Sequence, residues 1–185
     1  MIPSVAPLII RSARIADWPR LRRTVQSIFP HLSEAEVSYQ LRQHHAATVV
    51  ACRGADICGY YQFYAHADAG VAWLNFIGVV PRARGQGDAE ILLTFFTRHA
   101  KTCGFESVAL DVFEDKQRAQ RFYERRGFTR HTKQAHADGV KWRFLLSLTD
   151  VAPFERPMPS IRPAGPLVRA WRKLAYVALS AVPPA

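Results

Sequence analysis

A mixed, mostly antiparallel central sheet of about seven strands with helices on both faces, an α/β (α+β) fold, is predicted for this 185-residue chain by three observations. Between Thr48 and Val80, three runs rich in apolar, β-branched and aromatic residues are separated by short turn-forming stretches, as in an antiparallel meander. From Ile91 onward the apolar residues change to helical spacing. A strand, a helix and a terminal hairpin then carry the chain to Ser147. Antiparallel strands followed by a strand-helix-strand unit bury their apolar faces in a mixed sheet with helices packed against it. The length suits one domain with a substantial core, and no internal repeat is visible.

Each element has its own signal. Leu8 to Arg11 is a short apolar strand, and Trp18, Leu21, Val25 and Ile28 recur at helical spacing within Ile15 to Phe29. Ser33-Glu34-Ala35-Glu36 has the form of a capping box: the hydroxyl reaches the Glu36 amide and that carboxylate reaches back, so a second helix starts there. The meander strands are Thr48 to Cys52, Ile57 to Tyr64 and Val71 to Val80, joined by Arg53-Gly54-Ala55-Asp56 and Ala67-Asp68-Ala69-Gly70. Ile91, Leu92, Phe95, Phe96 and His99 mark a helix that Gly104 stops. Val108 to Phe113 reads as a buried strand and Gln117 to Arg126 as a helix closed by Gly127. Phe128 to Lys133 and Val140 to Ser147 form a hairpin around Asp138-Gly139.

The stretch Ile77 to Leu93 carries the most chemistry, because it joins a strand to a helix through the arginine-containing, glycine-rich turn Arg84-Gly85-Gln86-Gly87-Asp88-Ala89. Gly85 and Gly87 reach backbone angles closed to other residues, so successive N–H groups can converge on phosphate oxygens. The helix start from about residue 88 adds its free N–H groups and the positive end of its dipole. Arg84 adds a planar, charged donor suited to phosphate. A plain tight turn would use the same glycines. Gly78 is open to two readings, a close backbone approach or a structural bulge.

Arg84-x-x-Gly87-x-Ala89 resembles the (Gln/Arg)-x-x-Gly-x-(Gly/Ala) signature of the GCN5-related N-acetyltransferases, and Ile77-Gly78-Val79-Val80-Pro81 resembles the strand end before it. Leu110-Asp111-Val112, followed by Ala119, Phe122, Tyr123, Gly127 and Phe128, is similar to the family's later block ending in Tyr-x-x-x-Gly-Phe. Ile10-Arg11-Ser12-Ala13 with Asp17-Trp18 is similar to its first strand and helix start, so the resemblance covers roughly residues 8 to 148. It implies the acetyltransferase fold and acetyl-coenzyme A as acyl donor, with the pyrophosphate on Arg84, Gly85, Gln86, Gly87, Asp88 and Ala89. It also implies that backbone groups of Ile77 and Val79 pair with the pantetheine arm like a missing strand. Tyr123 then gives a proton to the leaving thiolate, a role that suits a phenol, which is a neutral donor at pH 7. On pattern alone Tyr123, beside Phe122, more often reads as a half-buried core aromatic.

The chain departs from the family pattern at three places. Lys116 stands where many members have Asn, and either reaches cofactor phosphate or lies solvated at a helix start. Asp88 replaces a usual aliphatic residue; it suits a helix first turn and is expected to point outward, since an inward carboxylate would repel pyrophosphate. A strand glutamate that serves some members as general base has Trp73 in its place, and no acid occurs from Val71 to Val80. Asp111, His66, His131 and Tyr64 are alternative bases, with Asn75 a possible holder of a relay water. The acceptor amine, of a small molecule or peptide, would be held by the loop around Phe29-Pro30-His31 and the terminal hairpin.

The formal net charge of +10 would attract anions. Nine Lys or Arg fall between Lys116 and Arg143, a basic rim for an anionic cofactor, and aromatic residues do not interleave with them as a single-strand nucleic-acid binder requires. Cys52, Cys58 and Cys103 lack metal-ligand spacing and read as small core residues of a reducing compartment; no metal is expected. The N-terminus has no charged region followed by an apolar run, so a cytoplasmic protein is the expectation. An acetyltransferase domain over 1–150 is expected to precede a proline-rich arm and a basic amphipathic helix over 151–185. There Leu167, Trp171, Leu174 and Ala178 share one helical face, which would dock on its own domain, join a second copy in a homodimer, or lie on an anionic membrane surface. Two rival functions stay open: a coenzyme A-binding regulatory module without chemistry, and a basic nucleic-acid binder.

Overall fold

The structure, a computed structural model, describes residues 6–43, 48–66 and 70–153. The expected arm and helix of 154–185, and the turn over 67–69, lie outside the described residues. Among the described residues seven strands and four α-helices follow in order: β1 (Leu8–Ser12), α1 (Trp18–Ile28), α2 (Glu34–Gln43), β2 (Thr48–Arg53), β3 (Asp56–His66), β4 (Val71–Val79), α3 (Asp88–Thr102), β5 (Ser107–Phe113), α4 (Gln117–Glu124), β6 (Thr129–His136) and β7 (Gly139–Ser147). The strands form one sheet in the order β1-β2-β3-β4-β5-β7-β6. The ladders β1–β2, β2–β3, β5–β7 and β6–β7 are antiparallel, and β4–β5 is parallel. That is the mixed, mostly antiparallel sheet that the sequence predicts.

Two compact units can be distinguished. The first takes the described residues up to Phe63 together with Phe76–Phe96. Its start is locked by Asp17, which is buried and accepts from Arg11 Nη1 at 2.5 Å, Arg11 Nη2 at 2.8 Å and the Arg14 amide at 2.7 Å. The chain passes through a 3-10 turn at Ile15–Asp17 before α1, so the helix expected from Ile15 begins three residues later, with Pro19 in its first turn where a missing N–H costs nothing. Leu21, Val25 and Ile28 are buried as their spacing requires. The capping box of α2 forms: Glu36 Oε2 accepts from the Ser33 amide at 2.7 Å, and the Glu36 amide donates to Ser33 Oγ at 3.2 Å.

Helices cover both faces of the sheet in this unit. A Cβ built on Gly78 would meet Ile28 Cγ2 of α1 at 2.5 Å, whereas one on Gly59 would meet Leu92 Cδ1 of α3 at 2.8 Å and Val79 Cγ1 at 3.0 Å. Gly78 and Val79 are neighbours on β4 and so point to opposite faces. Phe29 packs edge-on against Tyr60 and Phe76 toward α1, while Tyr61 and Phe63 pack on Phe96 of α3. Leu92, Leu93, Phe95 and Phe96 are buried, but Ile91, which shares their apparent periodicity, is 47% exposed.

The second unit takes Tyr64–Asn75 and the described residues from Thr97 onward. The parallel β4–β5 ladder pairs only Val71, Ala72 and Trp73 with Ser107, Val108 and Ala109. Gly104 ends α3 with φ +84°, and Phe105 N donates to Ala100 O at 3.1 Å. Strand β7 lies between β5 and β6, pairing Asp111 with Arg143 and Lys133 with Trp142. Every residue of β6 is exposed, and Arg130, His131 and Lys133 keep this edge strand polar. Arg98 donates to the carbonyls of Ala152 and Pro153, both at 3.3 Å, which ties the last described residues to α3.

Candidate functional site

Between β4 and α3 the chain makes a 3-10 turn at Pro81–Ala83, extends at Arg84 (φ −70°, ψ 147°), and passes through two left-handed glycines, Gly85 (φ +81°) and Gly87 (φ +83°). Those angles are strained for any residue with a Cβ. The turn is braced from outside: Gln86 Nε2 donates to Arg82 O at 3.0 Å, and Gly87 O accepts from the Glu90 and Ile91 amides at 3.0 and 3.1 Å. The amides of residues 85–89 donate to no backbone or side-chain acceptor among the described residues. Arg84, Gly85, Gln86 and Gly87 are exposed, and a Cβ on either glycine would meet nothing within 4 Å. Five successive amides without an acceptor among the described residues, at the start of a fifteen-residue helix and with an exposed guanidinium beside them, are an arrangement that can hold an anion, a candidate cradle.

Asp88 corrects the sequence expectation. Its side chain points inward and is fully buried, accepting from Arg53 Nη2 at 2.6 Å. A free carboxylate at this helix start would turn to water; a guanidinium on the last residue of β2 holds it in. Arg53 was assigned to a turn in the sequence, and the signal that points to it, an acid at an apolar position in need of a cation, does not say which of the chain's cations answers. At this helix start, the part of Asp88 that could face an anion is its amide, since its carboxylate is taken up by Arg53.

Ile77 and Val79 lie on the last third of β4, beyond Trp73, where the β5 register stops. Gly78 between them is explained by packing, because its missing side chain makes room for Ile28, the last residue of α1, and for Phe29 just after it. Both cradle and strand end belong to the first unit.

Tyr123 and Lys116 belong to the second unit. Tyr123 sits on the last turn of α4, 9% exposed, with Phe122, Phe128 and Phe144 at ring distances of 5.3, 5.5 and 6.3 Å. Burial pushes its hydroxyl above the ordinary phenol range, so it stays a protonated donor at any working pH. Lys116 precedes α4, is exposed, and reaches Asp115 Oδ2 at 2.6 Å. Buried Gln120 steadies the approach to that helix by donating to the carbonyls of Phe113 and Glu114 at 3.0 and 2.9 Å.

Of the alternative bases, Asp111 accepts a fork from Arg143, Nε at 3.1 Å and Nη2 at 3.4 Å. The same guanidinium lies 4.4 Å from the centroid of Trp73, which stacks on Tyr64 at 6.0 Å. Burial, with the charge of Asp111 adding to it, pushes the Tyr64 hydroxyl up to about 12. Asp111 is thus committed to an ion pair and Tyr64 is a poor base near neutral pH. His131 is exposed on β6, and His66 closes β3.

The family model of the acetyltransferase (GNAT) family matches residues 12–128, and the chain belongs to that family. Among curated proteins it is similar to the mycothiol acetyltransferase of Streptomyces avermitilis, 33% identical over 86 residues that cover 46% of this chain and 28% of that protein. The chain thus spans little more than a quarter of the length of the curated relatives it matches. Among solved structures it resembles the ribosomal-protein-S18-alanine N-acetyltransferase of Escherichia coli, with TM-score 0.65, 18% identity, and coverage of 82% of this chain and 99% of that one. It also resembles the PaiA N-acetyltransferase of Thermoplasma acidophilum in complex with coenzyme A, with TM-score 0.62, 16% identity, and coverage of 76% and 99%. These structural likenesses establish the fold.

Proposed function

We propose that the protein is an acyl-coenzyme A dependent N-acyltransferase that moves an acetyl group from acetyl-coenzyme A to a primary amine of a small molecule or peptide by direct attack. The observation that carries this reading is the row of free amides at 85–89 beside exposed Arg84. The first N–H groups of any helix are free, and here the exposed glycine turn ahead of α3 adds three more beside the guanidinium of Arg84. Here they would hold the donor's pyrophosphate with Arg84, while Ile77 and Val79 offer backbone groups to the pantetheine arm.

The neutral amine adds to the thioester carbonyl; a C–N bond forms, the C–S bond breaks, and the sulfur leaves as a thiolate. Tyr123 supplies the thiolate's proton, a step favoured by a phenol kept neutral; the attacking nitrogen sheds one proton to solvent as it becomes an amide, and the phenolate takes one back from solvent. Lys116, exposed at the start of α4, is offered as a further phosphate contact that would exchange Asp115 for the anion. The amine itself must arrive without its extra proton, and no acid on β4 removes it. That feature favours one rival, a coenzyme A-binding module without chemistry.

Free-thiol release from acetyl-coenzyme A, measured with a panel of amines and peptides, separates the two. Acceptor-dependent release supports the transferase; coenzyme A binding with no release across the panel supports the module. The proposed acetyltransferase domain spans 1–150, ahead of the arm and helix of 151–185, and Arg98 donates to the arm's carbonyls at Ala152 and Pro153. Deleting 154–185 leaves coenzyme A binding intact and changes oligomeric state, membrane association or acceptor affinity. The unpaired thiols of Cys52, Cys58 and Cys103, all pushed up by burial, support a reducing cytoplasm as the working compartment.

A further inference from the structure

Asp88 opens α3 immediately after Gly87, so a negative side chain sits at the first position of a helix whose free amides form the cradle. Its carboxylate is fully buried, whereas the side chain of its partner Arg53 is 25% exposed. The guanidinium is itself fixed, with Nη1 donating to Ala6 O at 3.0 Å and Nη2 to Asp88 Oδ1 at 2.6 Å. Yet the pairing is incomplete. Asp88 Oδ2 and Arg53 Nε are both buried and have no hydrogen-bond partner among the described residues.

A buried ion pair with two unsatisfied atoms is poor value as a stabilising device, since an apolar pair of similar volume does as well or better in such a place. What the pair does achieve is electrostatic. An acid beside phosphate-binding amides would oppose their positive potential, and Arg53 both cancels that charge and holds the carboxylate on the core side of the first turn.

We propose that Arg53 is a positioning residue for the phosphate cradle, keeping the Asp88 carboxylate buried and neutralised so that the amides of 85–89 present net positive potential to a pyrophosphate. This rests on the coenzyme A reading of that turn. Without Arg53 the charge of Asp88 either remains buried and uncompensated or swings out toward the turn. Both outcomes penalise a pyrophosphate ligand and spare one that lacks it.

The test is calorimetric titration with coenzyme A and, separately, with pantetheine, which carries no pyrophosphate. Arg53→Met is expected to weaken coenzyme A binding about tenfold or more and to leave pantetheine binding unchanged. The double variant Arg53→Met, Asp88→Leu, which removes both charges, restores coenzyme A affinity. Equal weakening of both ligands would mean a merely structural role and overturns the proposal, as does unchanged coenzyme A affinity in Arg53→Met. If Arg53→Met does not fold, Asp88→Asn decides: with Arg53 still charged it should bind coenzyme A severalfold more tightly and pantetheine as before, and no difference from the wild-type protein overturns the proposal. Failure of the wild-type protein to bind coenzyme A at all would instead remove the reading on which the proposal stands.

Discussion

The turn at Gly85 and Gly87 and the turn at Gly127 use the same backbone conformation for opposite purposes. Their φ angles are +81°, +83° and +83°. At the second turn the Gly127 amide donates to Glu124 O at 3.1 Å and the Phe128 amide to Tyr123 O at 3.2 Å, so the left-handed residue closes α4 and satisfies its last carbonyls. At the first turn the amides from 85 to 89 find no acceptor among the described residues, and residues 84–87 are exposed. A positive φ glycine therefore marks a sharp change of direction and nothing more. What distinguishes a binding turn from a capping turn is whether its donors are spent inside the molecule.

Gly87→Glu strikes hardest at this distinction. The change adds a carboxylate where free amides meet an anion, and coenzyme A binding should fall by more than about 100-fold. Because a Cβ there meets nothing, the cost in stability is only the left-handed strain, about 1–2 kcal/mol. A folded variant with wild-type affinity in calorimetry would show that the open amides are not the binding surface.

Tyr123→Phe acts beside the closed turn. It should lower turnover about 100-fold while acetyl-coenzyme A affinity stays unchanged, since one proton donor is lost with almost no volume. Unaltered turnover across the pH range would return Tyr123 to the aromatic core. Gly127→Ala comes next: the strained φ and a 3.4 Å approach to Leu146 Cδ1 should cost about 1–2 kcal/mol in urea unfolding, with coenzyme A affinity untouched. Any parallel loss of affinity would blur the contrast between the two turns.

The smallest effect concerns pH. His99, in the last turn of α3, is held down to about 4 by burial. Its unfolded value is near 6.5, so between those two pH values the unfolded chain binds more protons than the folded one. Stability is then fully present above about 6.5 and falls as pH drops toward 4, by on the order of 1–2 kcal/mol once partial solvent access is allowed for. His99→Gln should flatten that part of a stability-against-pH curve, and an unchanged slope would remove His99 as its source. The open amides at the other end of the same helix do not titrate, so this loss concerns folding and not the cradle.

Much of the fold and the local backbone geometry of the candidate site were legible in the residues. The Ser33–Glu36 box, the stops at Gly104 and Gly127, and the strand-turn-helix around Gly85 and Gly87 are local signals whose partners lie within a few positions, and all formed where expected. The direction of Asp88, at the start of α3, was not legible, because its partner is 35 residues away at the end of β2. Nor could the sequence show that Asp111 is occupied by Arg143 or that Gly78 makes way for Ile28.

The division has a physical cause. Hydrogen bonds between near neighbours, left-handed glycines and the 2.0 and 3.6 periodicities depend on φ, ψ and spacing alone, so the sequence by itself determined the elements, the cradle turn and the aromatic surroundings of the α4 end. Which strand lies beside which, here β7 between β5 and β6, depends on burial summed over the whole sheet. The same sum decides what a side chain such as Asp88 meets when it turns inward, so the charge balance behind the cradle was settled only when β2 brought Arg53 to it.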